Sequence, residues 1–506
     1  MNTEKNLLIA VALSVLVYGL WFFFLEKKYM PPIPPKSAIS QSQGQTTTPA
    51  TPATAVNSNF PLAAPLKNYP PMSADFGKAK LKIEPAGAGI VSWQYQEPLG
   101  MVELVQYPTP GFFAAFPNLK FIQDPKTPNL TFTARRQDGL EITKEFIPGV
   151  EGTKVPEIQI TLTNASGQMI QTGAWSLSVG PGLGTVASEQ KENPKVWRAI
   201  GLRFGGHGLN GKLDTFKPGT HTGPFQWMGI DNRYFLAALL PKNGEFTVSS
   251  LTPPEIILTA PSLILNPKTS HTWTIPFYLG EKGYTWLSRY HLGLERSINF
   301  GFFAQIGHLI LEILEKIYLL TGNWGSSIIL LTIGLQILVF PLTLKSLKAQ
   351  VAMRKLQPEI TKLQKKYASE PAKMNAEMME LYKKNGANPL GGCLPMLIQA
   401  PVFIALYTTL RNAWELHGAG WIFWIKDLSA KDPYYILPII MGSLMFAQNK
   451  LNPPPGDPAQ AQIMTWMPVI FTVMFLNFPA GLVLYWMTNS LFNAAIQLGL
   501  KKYYKY

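Results

Sequence analysis

The chain has 506 residues, of which 47% are hydrophobic and 15% are charged. An ordinary soluble domain has about 25% charged residues, so a single soluble globule is not expected. The net charge of +14 comes from 44 Lys and Arg against 30 Asp and Glu. These charges form no dense basic arm, so direct binding of nucleic acid is not expected either. The single cysteine, Cys393, excludes an intramolecular disulfide.

The first apolar run predicts a membrane anchor. Residues 6–25 carry no charge, and Glu26, Lys27 and Lys28 follow without a small-residue cleavage site. A run of about 20 apolar residues is long enough to cross the bilayer as a helix. We therefore interpret 6–25 as an uncleaved signal anchor, with residues 1–5 in the cytoplasm.

A large β domain is predicted after a flexible linker. Residues 26–66 are rich in Pro, Ser, Thr, Gln and Ala, which is typical of a linker. From 67 to 300, short alternating runs such as 157–163 and 255–259 are separated by Gly, Pro, Asn and Asp. This pattern predicts an all-β sandwich domain.

The segment 301–321 has apolar residues at helical spacing. Two interpretations stay open, an amphipathic helix in the membrane interface and a helix packed on the β domain. The apolar positions of the stripe are Ile306, Leu309, Ile310, Ile313, Ile317 and Leu320.

Charge-free runs in the last 190 residues predict five more crossings. They lie at 322–344, 389–410, 433–449, 462–477 and 480–500. The last two are separated by the helix-breaking sequence Asn477–Gly481. The sequence thus predicts a polytopic α-helical membrane protein with six transmembrane helices and a large all-β sandwich domain between the first two.

Charge in the loops predicts the topology. The segment 345–386 contains ten basic residues and four glutamates, so we place it in the cytoplasm. Ser369, Glu370 and Pro371 form a predicted turn, which makes this segment a hairpin of two helices. The loop 450–461 and the tail 501–506 are then also cytoplasmic, whereas the neutral loop 411–432 lies outside.

Neutral polar residues are the informative ones inside the predicted crossings, because they cost free energy unless they face protein or water. Two interpretations stay open, hydrogen bonds between helices and a hydrated recess open to the cytoplasm. The residues are Thr332, Gln336, Gln399, Asn489, Asn493 and Gln497. The six histidines include no pair at the spacing of a helical metal site, so metal catalysis is not predicted.

Several long motifs resemble the YidC family of membrane protein insertases, most closely its Gram-negative bacterial branch. They are Asn323-Trp324-Gly325, Leu356-Gln357-Pro358, 388–395, 432–438, 467–471 and 478–486. The resemblance covers about 300–500. It implies an inner-membrane protein with both termini in the cytoplasm, a periplasmic β-supersandwich and five helices that form the insertase core.

The resemblance also implies a function without catalysis or cofactor. Nascent membrane proteins would be inserted and chaperoned alone or with the Sec translocon, with lipids, a SecDF-type partner and the ribosome as further expected partners. The implied substrate groove contains Thr332, Gln336, Gln399, Trp486, Asn489 and Asn493, and the implied apolar slide contains Phe403, Leu406, Val469 and Val473. Lys362, Lys365 and Lys366 of the hairpin would help to recruit substrates.

The chain departs from this family at one position. Five residues before Pro341 the family usually has an arginine in its groove, and this chain has Gln336. A groove that acts through neutral hydrogen bonds is therefore expected here. The rival interpretations are a membrane-tethered sugar enzyme, which would need only one crossing, and a transporter, for which the sequence offers no charged midplane site.

Overall fold

The fold is that of a computed structural model, which describes residues 72–108, 111–124, 130–204, 212–242, 244–367, 369–385, 394–451 and 458–504. The predicted cytoplasmic N-terminus, the signal anchor at 6–25 and the whole predicted linker at 26–66 lie outside the described residues, as does Cys393. The described residues form two compact units. The first contains 72–281 and Thr285–Ser297, and the second contains Lys282–Tyr284 and the residues from Ile298 onward.

The first unit is built from antiparallel sheets, as the alternating sequence pattern predicts. Its strands are β1 (Met72–Phe76), β2 (Ala79–Glu84), β3 (Gly89–Glu97), β4 (Gly100–Glu103), β5 (Ile122–Asp124), β6 (Leu130–Arg135), β7 (Leu140–Ile147), β8 (Glu157–Asn164), β9 (Ile170–Gln171), β10 (Trp175–Val179), β11 (Arg198–Arg203), β12 (Leu213–Thr215), β13 (Gly219–His221), β14 (Phe225–Asp231), β15 (Phe235–Leu239), β16 (Thr247–Leu251), β17 (Glu255–Ala260), β18 (Ile264–Leu265) and β19 (Ser270–Glu281).

The largest described sheet has nine strands in the order β12-β11-β14-β15-β19-β8-β7-β6-β5. Two four-stranded sheets have the orders β1-β2-β3-β4 and β10-β17-β16-β13, and β18 pairs with β9. Short helices α1 (Asn193–Val196) and α2 (Tyr284–Ser288) follow β10 and β19.

The two strands predicted from alternation are confirmed. In β8, Ile158, Ile160 and Leu162 are fully buried, and the polar residues between them are partly exposed. Strand β17 shows the same alternation. Successive side chains of a strand point to opposite faces, so one face of each strand forms the core.

Lys144 of β7 is the exception in this core, because it is a fully buried lysine. Its nitrogen donates hydrogen bonds to the carbonyl oxygens of Gly87 (3.2 Å), Ala88 (2.7 Å) and Phe113. Ala88 and Phe113 have φ angles of 45° and 60°, in the left-handed region that non-glycine residues rarely adopt. Lys144 thus ties an irregular part of the chain to the largest sheet. Burial lowers the pKa of Lys144 well below its ordinary value.

The second unit is helical. Its helices are α3 (Ala304–Thr321), α4 (Trp324–Lys366), α5 (Pro371–Lys384), α6 (Leu394–Asn412), α7 (Ile436–Leu451), α8 (Pro458–Phe475) and α9 (Ala480–Tyr504). Helix α9 packs against α4, α6 and α7, and α8 packs against α7. Within the described residues, Trp324–Ser346 is the one segment long and apolar enough to cross a membrane by length and composition, and Met464–Phe475 is a shorter apolar helix.

The predicted hairpin has two helices, but the first is not separate from the preceding crossing. Helix α4 runs without interruption through Pro341 and Pro358 to Lys366. Lysine, glutamine and leucine are good helix formers, so a change from apolar to basic residues does not end a helix. The two helices of the hairpin pack on each other: Leu356 and Ile360 are buried against Met378, Leu381 and Tyr382.

Helix α3 has two apolar faces rather than the single predicted stripe. Ile310, Leu311 and Leu314 are buried, and the helix packs on α4 and α6. Leu309 and Leu320, which belong to the predicted stripe, are 55% and 87% exposed. The buried face therefore shares Ile310 with the predicted stripe, whereas Leu309 and Leu320 of that stripe stay exposed.

We expect Lys144→Met to destabilise the first unit, because it removes the donor shared by three buried carbonyl groups. An unsatisfied buried polar group costs about 1–3 kcal/mol. For a domain of this size each kcal/mol lowers the melting temperature by about 2–4 °C. Thermal unfolding of the purified full chain in detergent, followed by circular dichroism, measures this shift. Lys82→Met is the matched control, since Lys82 is exposed on β2, and equal melting temperatures for the two variants would contradict the prediction.

Candidate functional site

Three neutral amide side chains join α4 to α9. Gln336 Nε2 of α4 donates a hydrogen bond to Asn489 Oδ1 of α9. Asn493 Nδ2 donates to the same oxygen over 2.9 Å. Asn489 and Asn493 are four residues apart and therefore share one face of α9. We call Gln336, Asn489 and Asn493 the amide network.

The amide network lies largely inside the helical unit. Gln336 is only 6% exposed, while Asn489 and Asn493 are half-buried. In this position every amide needs a partner, because an unpaired polar group away from water is costly. The network carries no formal charge, and it can both donate and accept hydrogen bonds.

A second polar contact joins α6 to α9. Gln399 Nε2 donates to the hydroxyl oxygen of Tyr485 over 2.8 Å, and Tyr485 is 1% exposed. The sequence analysis named Gln399 but missed Tyr485. The sequence does contain a signal for this contact. A glutamine in an apolar helix needs a hydrogen-bond partner on a neighbouring helix, and a tyrosine hydroxyl in α9 can be that partner.

Thr332 is fully buried, and its hydroxyl donates to the Ile328 carbonyl oxygen of the same helix over 2.6 Å. Threonine commonly satisfies its hydroxyl in this way within a helix. The Thr332 hydroxyl therefore bonds within α4. Gln336, which was predicted to line the same groove, bonds instead to α9.

The predicted slide residues divide into exposed and buried ones. Val469 and Val473 of α8 are 47% and 60% exposed. Phe403 is half-buried, with its ring 4.9 Å from that of Trp486. Leu406 is fully buried, so it has no exposed surface for a substrate in this arrangement, and we leave it out of the proposal below.

The aromatic ring of Trp486 links α9 to α8. It lies 5.7 Å from Phe471 and 5.4 Å from Phe475, measured between ring centroids. Aromatic pairs at these distances are favourable beyond the area they bury. Trp486 thus stands between the half-buried Phe403 of α6 and the aromatic residues of α8.

The hairpin lysines lie on the outside of the helical unit. Lys362, Lys365 and Lys366 are all exposed. Hydrogen bonding to Tyr367 raises the pKa of Lys366, so this side chain stays a cation at neutral pH. Among the described residues, no group of three or more His, Cys, Asp or Glu could hold a metal ion.

These features define a class: a protein with a large β domain and an apolar helical unit in which α4, α6 and α9 are joined by neutral polar contacts. The model of the family described as 60Kd inner membrane protein matches residues 316–506, and the model of the YidC periplasmic domain matches 210–313. The chain is 37% identical to a membrane protein insertase YidC of Endomicrobium trichonymphae, over 99% of this chain and 98% of that protein.

A second relative is the membrane protein insertase YidC of Geobacter sulfurreducens, with 37% identity over 71% of this chain and 68% of that protein. Among solved structures, a crystal structure of an active YidC insertase with its first transmembrane domain resolved is 18% identical, covers 85% of this chain and 93% of that one, and has a TM-score of 0.41. The chain belongs to the YidC family of membrane protein insertases. It is a bacterial inner-membrane protein with a periplasmic domain.

Helices α7 and α8 approach so closely at Gly442 that a side chain there would overlap Thr472. We expect Gly442→Ala to lower the amount of folded protein in the membrane, because α8 would have to move away from α7. Gly334→Ala is the matched control: Gly334 also lies within a helix, and a Cβ there would meet no atom within 4 Å. Size-exclusion profiles and membrane accumulation measure the effect, and equal behaviour of the two variants would refute the close contact.

Proposed function

We propose that this chain inserts newly made membrane proteins along a path formed by α4, α6, α8 and α9. The observation that supports this most directly is the neutral amide network beside an exposed apolar helix. In the proposed topology residues 6–25, α4, α6, α7, α8 and α9 make six crossings, with both termini and the hairpin in the cytoplasm.

The amide network would receive the polar end of a substrate. A polar peptide loses its hydrogen bonds to water when it enters hydrocarbon, and each unmet bond costs free energy. Gln336, Asn489, Asn493, Gln399 and Thr332 line the proposed groove, with Trp486 beside them. The amides can exchange their bonds to one another for bonds to the substrate, whereas the Thr332 hydroxyl remains bonded within α4.

The apolar part of the substrate would leave along α8. Val469, Ile470 and Val473 are exposed by 47%, 61% and 60%. Burial of each large apolar side chain of the substrate in lipid contributes roughly 1.5–3 kcal/mol. This transfer would drive insertion without nucleotide hydrolysis, cofactor or catalytic residue.

The proposal includes binding partners, which the exposed charge of the hairpin would attract. The exposed lysines Lys362, Lys365 and Lys366 would attract anionic lipid, the nascent chain or the ribosome. The Sec translocon and a SecDF-type protein are further proposed partners, the latter at the periplasmic domain.

We expect Gln336→Leu to slow the insertion of substrates with polar translocated ends. The change removes the donor to Asn489, and one hydrogen bond is worth about 0.5–1.5 kcal/mol, which corresponds to roughly a 2- to 10-fold change in rate. Thr343→Val is the matched control, because the Thr343 hydroxyl bonds within α4, to the Val339 carbonyl oxygen over 3.3 Å, and Thr343 is not part of the proposed groove. Insertion of a model substrate into vesicles that contain the purified variant gives the rates.

The variant Gln336→Arg tests whether the side chain at position 336 faces water or lipid. An arginine that faces lipid costs about 2.5–3.5 kcal/mol, and one in a wet recess costs much less. We expect the arginine variant to accumulate and function. Unchanged insertion by Gln336→Leu, together with loss of the arginine variant from the membrane, would assign Gln336 to helix packing alone.

Photocrosslinking locates the path. We expect a crosslinker at Phe403 or Val473 to capture a stalled nascent membrane protein, since both sites border the proposed exit. Leu338 of α4 is a matched exposed control at 76%, and Leu406 is a buried one. Adducts of equal yield at Leu338 and Val473 would show contact with any lipid-facing site and would contradict a defined path.

A further inference from the structure

The loop before α7 presents three consecutive apolar residues at its tip. Ile422 is 44% exposed, Phe423 is 85% exposed and Trp424 is half-buried. Phe423 has a φ of 53°, in the left-handed region that is unfavourable for an aromatic residue. We call Ile422, Phe423 and Trp424 the aromatic tip. The contacts within this loop do not explain why Phe423 is exposed in an unfavourable backbone conformation. Such strained residues are concentrated at functional sites, which indicates a binding role for the loop.

The loop is tied to the start of α4. Asn323 caps this helix by accepting a hydrogen bond from the Ser326 backbone nitrogen over 3.0 Å. The Asn323 side chain also donates to the carbonyl oxygens of Gly420 and Trp421, both over 3.3 Å. The Trp421 ring fills the space where a side chain at position 325 would lie. The apolar span begins at Trp324, so the aromatic tip lies within a few residues of the end of a membrane span.

The same loop is tied to the starts of two more helices. The Leu428 and Ala430 carbonyl oxygens accept hydrogen bonds from the backbone nitrogens of Gly481 and Ala480, over 2.9 and 2.7 Å, at the start of α9. The buried carboxylate of Asp432 accepts from the Leu437 backbone nitrogen over 2.7 Å, at the start of α7. Three helix starts therefore fix the position of this loop.

Asp432 also holds the tip itself. It accepts a hydrogen bond from Trp424 Nε1 over 2.9 Å, so the indole has its polar atom satisfied. Nearby, Tyr434 is 66% exposed. Tryptophan and tyrosine concentrate at membrane interfaces, where their rings contact the acyl boundary and their polar atoms stay hydrogen-bonded.

We propose that the aromatic tip inserts into the lipid interface as an anchor that fixes the depth of the starts of α4, α7 and α9. The occupant is lipid because the tip is attached to helix ends that a bilayer must surround. Leu319 and Leu320, in the last turn of α3, are 83% and 87% exposed. They extend the same apolar rim around the start of α4, as expected for a surface covered by lipid.

The test uses a spin label on the full chain in vesicles of phosphatidylethanolamine and phosphatidylglycerol. Cys393 is the one cysteine, so Phe423→Cys in a Cys393→Ser background gives a single labelled site. Collision of the label with oxygen, which concentrates in lipid, is compared with collision with a water-soluble nickel complex. Leu338→Cys is the lipid reference. Lys80→Cys, at an exposed position of β2, is the aqueous reference.

We expect the oxygen-to-nickel collision ratio at position 423 to lie closer to that at 338 than to that at 80. Tyr434→Cys repeats the measurement without altering the tip and should give the same result, which covers the case that the Phe423 variant does not fold. A ratio close to that at position 80 for both labels would overturn the proposal. Protection from both reagents would also overturn it, because it would indicate a protein partner or a second copy of the chain on the tip.

Discussion

Hydrocarbon offers no hydrogen-bond partner, so every polar group placed between these helices has to be paired inside the protein. The helical unit follows this constraint. Gln336 pairs with Asn489, Gln399 pairs with Tyr485, and Thr332 bonds within its own helix. The first two contacts both end on α9, which also packs against α7. The pairing of neutral amides thus fixes which faces of α4 and α6 meet the last helix, where apolar packing alone would allow several arrangements.

The first unit, a domain surrounded by water rather than lipid, also contains a buried polar group whose hydrogen bonds are made inside the protein. Its core forms without a disulfide, and the buried Lys144 nitrogen is matched by three carbonyl oxygens. Those carbonyls belong to a part of the chain whose backbone is irregular, so one side chain links three carbonyl groups of that part to the largest sheet. In the first unit the carbonyl oxygens supply the hydrogen bonds that Lys144 would otherwise make to water. In the helical unit the polar side chains bond to one another because lipid offers no hydrogen-bond partner.

Much of the secondary structure could be predicted, because alternation and helical spacing report burial directly. Strand β8 followed from its alternating pattern. The fate of individual apolar residues in the helices could not be predicted: Leu406 and Val473 are equally apolar, yet one is buried and the other exposed. Lipid and helix neighbours both favour apolar side chains, so hydropathy does not distinguish them. The partner of Gln399 was missed for a related reason, since pairing between distant helices depends on their packing and leaves no local pattern.

The neutrality of the amide network bears on the proposed mechanism. A groove has to release its own contacts before a substrate can use them, and strong internal contacts would raise that barrier. Hydrogen bonds between helices in membranes average about 0.6 kcal/mol, close to the thermal energy, whereas a buried ion pair loses several kcal/mol when one partner is removed. The two amides that donate to the single oxygen of Asn489 can therefore separate from it and rejoin at low cost. A network of this kind can accept polar segments of either charge, because amides both donate and accept, and it leaves the direction of insertion to the apolar surface of α8.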